Sequence, residues 1–319
     1  MPGETSPVRK YWSQYKWSNI AAMVRNSMAD PDIYNEDCAG RLIVITGATS
    51  GIGYETARKY ASRGAHLLTI NRNKDKSEAL REELKRDFDI TCDYLIADLS
   101  RLADMHSVGQ ALAEMNASID VLIHNAGIFL SNKVLTEDGL EMTFATNFLA
   151  SFVINNLVEE KLKSQRQARI LLVNSEGYRF AVWGLRLDDI NWNARRYTGL
   201  RAYGASKLAQ LLTMMVFHDR YSGSGVTINA MHPGMVTTNT GRDNGPLYKW
   251  YKRNVIDRVS KPASISAEAL YYLGLAPMLA NVSGEFFNLT RAEELAPPAR
   301  DKGIAENLWR ISLEMGGLK

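Results

Sequence analysis

Short apolar runs recur along the chain, with room for a helix between successive runs. They are Leu42 to Thr46, His66 to Ile70, Tyr94 to Ala97, Val121 to His124, Arg169 to Val173, Val226 to Met231 and Glu285 to Asn288. Most are short and largely apolar, as expected of a strand covered on both faces, and the stretches between them carry apolar residues at helical spacing. This alternation predicts a doubly wound α/β fold built on a parallel sheet. Right-handed crossovers would bring the strand C-terminal ends to one edge, where ligands bind at the point of strand-order reversal. No internal repeat, low-complexity tract or linker interrupts residues 41–319, so they are expected to form one domain behind an extension of residues 1–40.

The first run ends in Thr46-Gly47-Ala48-Thr49-Ser50-Gly51-Ile52-Gly53, with a helical pattern beginning at Tyr54. A glycine-rich turn between a strand and a helix leaves backbone N–H groups free and lets the chain approach a pyrophosphate, which the helix dipole also favours. The spacing differs from the usual G-x-G-x-x-G, and a plain tight turn is the alternative. Further along, Tyr203 and Lys207 stand four residues apart, on one face of a helix. Alone, such a pair is common and carries little.

Order and spacing give these pieces meaning. The glycine turn is followed by Asp98, by His124-Asn125-Ala126-Gly127, by Asn147, by Ser175, by the Tyr203/Lys207 pair and by His232-Pro233-Gly234. From about Arg41 onward the chain resembles the short-chain dehydrogenase/reductase family, with a Rossmann-type fold. The long interval between Ser175 and Tyr203, together with Arg72 and the ending Ala305-Glu306-Asn307-Leu308-Trp309, is similar to the subgroup of retinol dehydrogenases and carbonyl reductases.

The resemblance implies a nicotinamide dinucleotide held by Gly47, Thr49, Ser50, Gly51, Ile52 and Gly53. Asp98 and Leu99 would lie near the adenine, Asn125, Ala126 and Gly127 along its ribose, and Pro233, Gly234, Val236 and Thr238 at the nicotinamide end. The end of the second run reads Asn71-Arg72, with no acidic side chain to hold a ribose 2′-hydroxyl. A guanidinium pairs well with a 2′-phosphate, so NADP(H) is the expected cofactor, with NAD(H) as the alternative.

Reducing a carbonyl requires a hydride at carbon and a proton at oxygen. A free phenol, with a pKa of about 10, is a weak match to neutral pH, and a neighbouring ammonium lowers it. The resemblance makes Tyr203 the acid, Lys207 its electrostatic partner and a ribose ligand, Ser175 the hydrogen-bond donor to the substrate oxygen, and Asn147 the holder of a water that links Lys207 to solvent. Taken singly, Ser175 could cap a turn and Asn147 could satisfy backbone groups within a helix.

The family's Asn-Asn-Ala-Gly begins here with His124, and its Ser-Ser pair appears as Asn174-Ser175, followed by Glu176. His124 is expected to change a structural contact. Glu176 has two readings, a carboxylate at the pocket mouth or a solvent-facing loop residue. The aromatics Tyr178, Phe180, Trp183, Trp192 and Tyr197, and Leu247, Tyr248, Trp250 and Tyr251 beyond the Pro-Gly pair, flank the substrate side in relatives. They suit a bulky apolar or aromatic carbonyl compound or its primary or secondary alcohol, although core packing would absorb most of them. Lys249, Lys252, Arg253 and Arg258 read as a solvated face, or as an attractor for an anionic substrate or membrane.

Composition narrows the rest. An apolar fraction of 45% is ordinary, and a formal charge of +3 gives no reason to expect nucleic acid. Cys38 and Cys92 are the only cysteines, and the five histidines lack ligand spacing, so neither a structural disulfide nor a metal site is expected. No run is long enough to span a membrane, which together with the cysteines suggests a cytoplasmic enzyme. Homodimers or homotetramers are the family's usual assemblies. In the extension, Trp17, Ile20, Ala21, Val24 and Met28 recur at helical spacing, with Lys16 and Arg25 elsewhere on the wheel. Such a helix would pack on the body or on a partner, or lie on a membrane surface. Three other functions fit the same residues: reduction of a C=C bond, an idle NADP-binding regulator, and a protein-interaction role carried by the extension.

Overall fold

The computed structural model describes residues 7–15, 25–26, 30–165, 167–234 and 262–318. A single sheet runs through the domain in the order β3-β2-β1-β4-β5-β6-β7-β8. Its strands are β1 (Leu42–Thr46), β2 (His66–Asn71), β3 (Cys92–Ile96), β4 (Val121–His124), β5 (Ala168–Val173), β6 (Val226–His232), β7 (Phe286–Asn288) and β8 (Arg291–Glu293). The first seven are parallel, and β8 folds back antiparallel on β7. The apolar runs therefore mark the parallel strands. The third strand lies about two residues earlier than its run suggests, and β8 has no apolar run to announce it.

Alternate residues of each strand serve opposite layers, as a pleated strand requires. On one face Val44, Leu68, Leu122, Ile170, Ile228 and Phe286 pack under α4 (Leu102–Glu114), α5 (Ala150–Gln165), α6 (Gly199–Tyr221) and α8 (Lys302–Met315). On the other, Ile43, Leu67, Ile123, Leu171 and Phe287 pack under α2 (Gly51–Ala61), α3 (Lys74–Phe88) and α7 (Ser264–Leu275). Strand β1 pairs with both β2 and β4, so the strand order reverses beside it. The glycine turn after β1 and Asn125 after β4 meet across that reversal.

The described part of the extension lies on the body. Its short helix α1 (Pro7–Trp12) places Tyr11 with 3% exposure, and the Tyr11 hydroxyl donates to Asp301 at 2.6 Å. Lys10 pairs with the same carboxylate. Tyr15 donates to the Val182 carbonyl at 3.0 Å, Asn26 to Glu293 at 3.1 Å, and the Asp32 N–H to the Thr290 hydroxyl at 2.8 Å. The remaining apolar positions of the amphipathic pattern, Trp17, Ile20, Ala21, Val24 and Met28, lie outside the described residues, as do Val236, Thr238 and the stretch from Leu247 to Arg258.

Candidate active site

The glycine turn is built by backbone geometry. Gly47 and Gly51 take φ of +71° and +58°, a region costly for any residue with a Cβ. At Gly53 an added Cβ would stand 2.2 Å from the Gly47 carbonyl oxygen and 2.5 Å from Asn125 Nδ2. Helix α2 starts at Gly51, three residues before the expected position, because Ser50 adopts an extended conformation as its N-cap. The Ser50 side chain makes no capping bond, and no acidic residue lies in the first turn. That end of α2 keeps backbone donors and a positive dipole facing outward, an arrangement that fits a pyrophosphate.

Three side chains fix this turn. Thr46 Oγ1 accepts the N–H groups of Asn125 and Ala126, both at 3.0 Å. Asn125 returns Nδ2 bonds to the carbonyls of Thr46 and Gly47 at 3.1 and 2.9 Å. Asn71, only 4% exposed, accepts from the Ala48 N–H at 2.7 Å and donates to Thr69 Oγ1 at 3.1 Å. Asn71 is thus engaged with the turn, while Arg72, the next residue, is exposed. Asp98 accepts from the N–H and hydroxyl of Ser100 at 3.0 and 2.8 Å, and Leu99 is buried. Thr49 and Ile52 are partly buried, and Gly127 is exposed past β4.

Asn147 sits in a π-helical turn, Ala145–Leu149, a local widening frequent at functional sites. Buried Glu141 anchors the approach to it by accepting the N–H groups of Thr143 and Phe144. Asn147 accepts from the Ile128 N–H at 2.7 Å and donates to the Ile128 carbonyl at 3.0 Å and Ser206 Oγ at 3.1 Å. A small cavity of mixed character lies behind it, lined by Leu99, Ala126 and Ala150 as well as by Thr46, His124, Thr146, Asn147, Ser151 and Gln210.

Ser175 caps the 3-10 turn Glu176–Phe180, its Oγ accepting from the Gly177 N–H at 3.0 Å. A Cβ built on Gly177 would lie 2.8 Å from Tyr203 Cε1 and 3.1 Å from Ser175 Oγ, so serine and tyrosine meet over this glycine. Phe129 meets the Tyr203 ring edge-on, with centroids 5.8 Å apart. One helical turn on, Lys207 Nζ lies 5.9 Å from the Tyr203 ring centre and donates to the Val173 carbonyl at 2.7 Å. Burial lowers the Lys207 ammonium to about 7. Asn174 ties the end of β5 to α6, accepting from the Ser175 N–H and donating to the Lys207 carbonyl and Gln210. The Pro233 carbonyl accepts from Ser266 Oγ at 2.6 Å, and Gly234 takes φ of +78°.

The chain belongs to the short-chain dehydrogenase family. It matches the short chain dehydrogenase model over residues 41–184. Retinol dehydrogenase 13 of Homo sapiens is 33% identical over 287 residues, which cover 88% of this chain and 86% of that protein. Retinol dehydrogenase 14 of Homo sapiens is 34% identical over 295 residues, covering 88% and 87%. Among solved structures, an uncharacterized protein from Mycobacterium Paratuberculosis aligns with a TM-score of 0.69 and 28% identity over 90% of this chain and 96% of its own. A short-chain dehydrogenase from Sphingobium yanoikuyae in complex with NADPH aligns with a TM-score of 0.60 and 25% identity over 73% and 84%. The chain is thus an oxidoreductase of the retinol dehydrogenase-like subgroup.

This short-chain dehydrogenase agrees with its sequence expectations at some positions around the site, His124 among them as a structural contact, and departs from them at others. His124 is buried, with Nε2 2.8 Å from Asn155 Oδ1, and burial lowers its pKa to about 4. Glu176 is partly buried and paired with Arg179, not solvent-facing. Tyr178 and Trp192 are core residues, whereas Phe180 and Trp183 stay exposed. Thr46, Asn174, Gly177 and Gln210 hold the site together; Thr46 had a sequence signal as the first residue of the glycine-turn motif and Asn174 as a departure from the family's serine pair, whereas Gly177 and Gln210 had none. Among the described residues there is no cluster suited to a metal, and no helix long and apolar enough to cross a membrane.

Proposed function

We propose that this short-chain dehydrogenase is an NADP(H)-dependent carbonyl reductase, or the alcohol dehydrogenase of the reverse reaction, acting on a bulky apolar or aromatic compound. The observation that carries this reading is the meeting of Ser175 Oγ and the Tyr203 ring over Gly177, with Lys207 one helical turn away. Gly47, Gly51 and the free end of α2 would hold the pyrophosphate, and exposed Arg72 would face a 2′-phosphate. The nicotinamide, when bound, supplies or accepts the hydride. Ser175 Oγ donates to the substrate oxygen and fixes it beside Tyr203. Tyr203 gives its proton to that oxygen in reduction and takes one in oxidation. Lys207 stabilises negative charge on Tyr203, and Asn147 shapes the path by which the proton is replaced.

Exposed Phe180, on the turn that Ser175 caps, supports an apolar substrate, while Trp183 meets Trp12 of the extension; the names of the relatives put retinoid carbonyls on the test panel. The test is NADPH oxidation with ketones, aldehydes, quinones and retinoids, with NADH and Tyr203→Phe as controls. The expected outcome is turnover with NADPH that Tyr203→Phe abolishes while nucleotide binding is kept. Near-normal turnover of that variant would overturn the mechanism. Binding of NADPH with no turnover of any compound would favour an idle regulator.

A further inference from the structure

The segment from Ser175 to Gly184 joins the catalytic helix to the N-terminal extension. Successive backbone bonds stiffen it: the Tyr178 N–H donates to the Ser175 carbonyl at 3.0 Å, the Ala181 N–H to the Tyr178 carbonyl at 3.1 Å, and the Gly184 N–H to the Ala181 carbonyl at 2.8 Å. Its first half lies on α6. A Cβ built on Gly204, the residue after Tyr203, would stand 2.9 Å from both the Gly177 carbonyl oxygen and Phe180 Cβ. Its far end meets the extension. The Tyr15 hydroxyl donates to the Val182 carbonyl at 3.0 Å, and the Trp12 and Trp183 rings lie 6.4 Å apart. Gly184 takes φ of +83°, and a Cβ there would stand 3.1 Å from the Tyr11 ring. Tyr11 is fixed in turn by Asp301, the N-cap of α8, which also accepts from the Ile304 N–H at 3.1 Å. The extension reaches the same turn by a second route. Asn26 donates to Glu293 at 3.1 Å, Glu293 lies 3.8 Å from Arg179 Nη2, and Arg179 pairs with Glu176, the neighbour of Ser175.

Burial alone does not anchor this segment. Tyr178 is its one buried residue, with its hydroxyl accepting the Ala296 N–H at 2.9 Å, whereas Phe180, Val182 and Trp183 are exposed. Past Phe180 the segment is therefore held where Tyr11, Trp12 and Tyr15 meet it, and its short turns pass a displacement at Val182 or Gly184 back toward Ser175. We infer that Tyr11 and Tyr15 are positioning residues for the reaction: by holding Gly184 and Val182 they keep Ser175 and Gly177 seated against Tyr203, while Asn26, through Glu293 and Arg179, steadies the near end. This rests on the reading of Ser175 and Tyr203 as the reacting pair and deepens it, because it makes the extension part of the active-site framework. A reacting group displaced by up to about 1 Å can lose up to about a hundredfold in rate, so loss of one of these contacts should be visible in turnover.

The test uses the full chain with NADPH and the compound of the carbonyl panel that it turns over fastest, alongside hydrogen exchange of the amides of Tyr178, Ala181 and Gly184. Tyr11→Ala, which empties the space over Gly184, should lower kcat about tenfold at a temperature where the variant is fully folded, with NADPH affinity unchanged. Tyr11→Phe keeps the ring against Gly184 and should recover most of that rate. Tyr15→Phe loses only the bond to Val182; it should lower kcat about threefold, and serves if Tyr11→Ala does not fold. In Tyr11→Ala and Tyr15→Phe the three amides should exchange faster while those of β1 and β4 keep their protection. An unchanged kcat in these two variants would overturn the proposal, as would a loss of rate with unchanged exchange at the three amides. If the unaltered protein turns over no compound, the reductase reading falls, and exchange at the three amides decides by itself whether the extension holds the turn.

Discussion

Gly177 carries a constraint out of proportion to its size. It is the point where Ser175 and Tyr203 touch the same residue, and a methyl group there would sit 2.8 Å from the tyrosine ring. Gly177→Ala must therefore turn the ring or push the serine away. Misplacing a reacting group by up to about 1 Å can cost up to about a hundredfold in rate. The expected result is a fall of that size in kcat with unchanged NADPH affinity, measured by steady-state kinetics and calorimetry. Lys207 makes a second prediction. Burial lowers its folded pKa from 10.5 to about 7, so between those values the unfolded chain holds the proton that the folded chain lacks. Stability then rises with pH across that window and is lost as pH falls toward 7. In the nucleotide-free protein, melting temperature relative to Lys207→Met should climb from pH 7 to pH 10. A constant difference would refute the assignment. Both predictions concern residues of different legibility: Lys207 stood out through its spacing from Tyr203, whereas Gly177 had no sequence signal, because its role lies in a contact with a residue far along the chain.

At the scale of the element, the parallel strands were readable because burial on both faces demands unbroken apolar runs. Strand β8 was not, since Arg291-Ala292-Glu293 is a three-residue edge segment defined by its pairing to β7 rather than by composition. The π turn holding Asn147 was hidden for a similar reason: its sequence continues helically, and the extra residue per turn follows from the Glu141 anchor and the clamp on Ile128. The end of β2 was half legible. Asn71 and Arg72 were noted for their charge, yet Asn71 also braces the glycine turn through the Ala48 N–H. An aspartate can accept the Ala48 N–H as Asn71 does, and the Thr69 hydroxyl, which now accepts from Asn71 and donates to the Asp93 carbonyl at 3.4 Å, can turn its proton to the new carboxylate, so the turn should survive Asn71→Asp. Combined with Arg72→Ala, that change is expected to shift the preference from NADPH toward NADH by at least about tenfold in kcat/KM. An unchanged cofactor ratio would contradict the proposed 2′-phosphate contact.

For the whole molecule, the extension is the feature that sequence left most open, because an amphipathic pattern does not name the surface it meets. Its described residues touch the C-terminal part of the chain through Asp301, Glu293 and Thr290, and the middle of the chain through Val182. Tyr11 alone buries an aromatic side chain, worth about 1.5–3 kcal/mol. Deleting residues 1–35 should lower the melting temperature by at least about 3 °C, since the loss is spread over a large cooperative unit. Scanning calorimetry decides this, and an unchanged transition accompanied by lost liposome binding would assign the segment to a membrane surface.

The two rims of the sheet differ in what they offer to other chains. Rows of unpaired backbone groups at a rim are templates for strand addition and aggregation, and short, charged or covered strands suppress it. The β8 rim is three residues long, begins with exposed Arg291, and is tied to Asp32 of the extension by that arginine and by Thr290. The β3 rim is five residues long and exposes Ile96 at 46%. Among the described strands, intermolecular pairing is therefore easier along β3, on the side of the sheet farthest from α6, with exposed Asp93 as its charged guard.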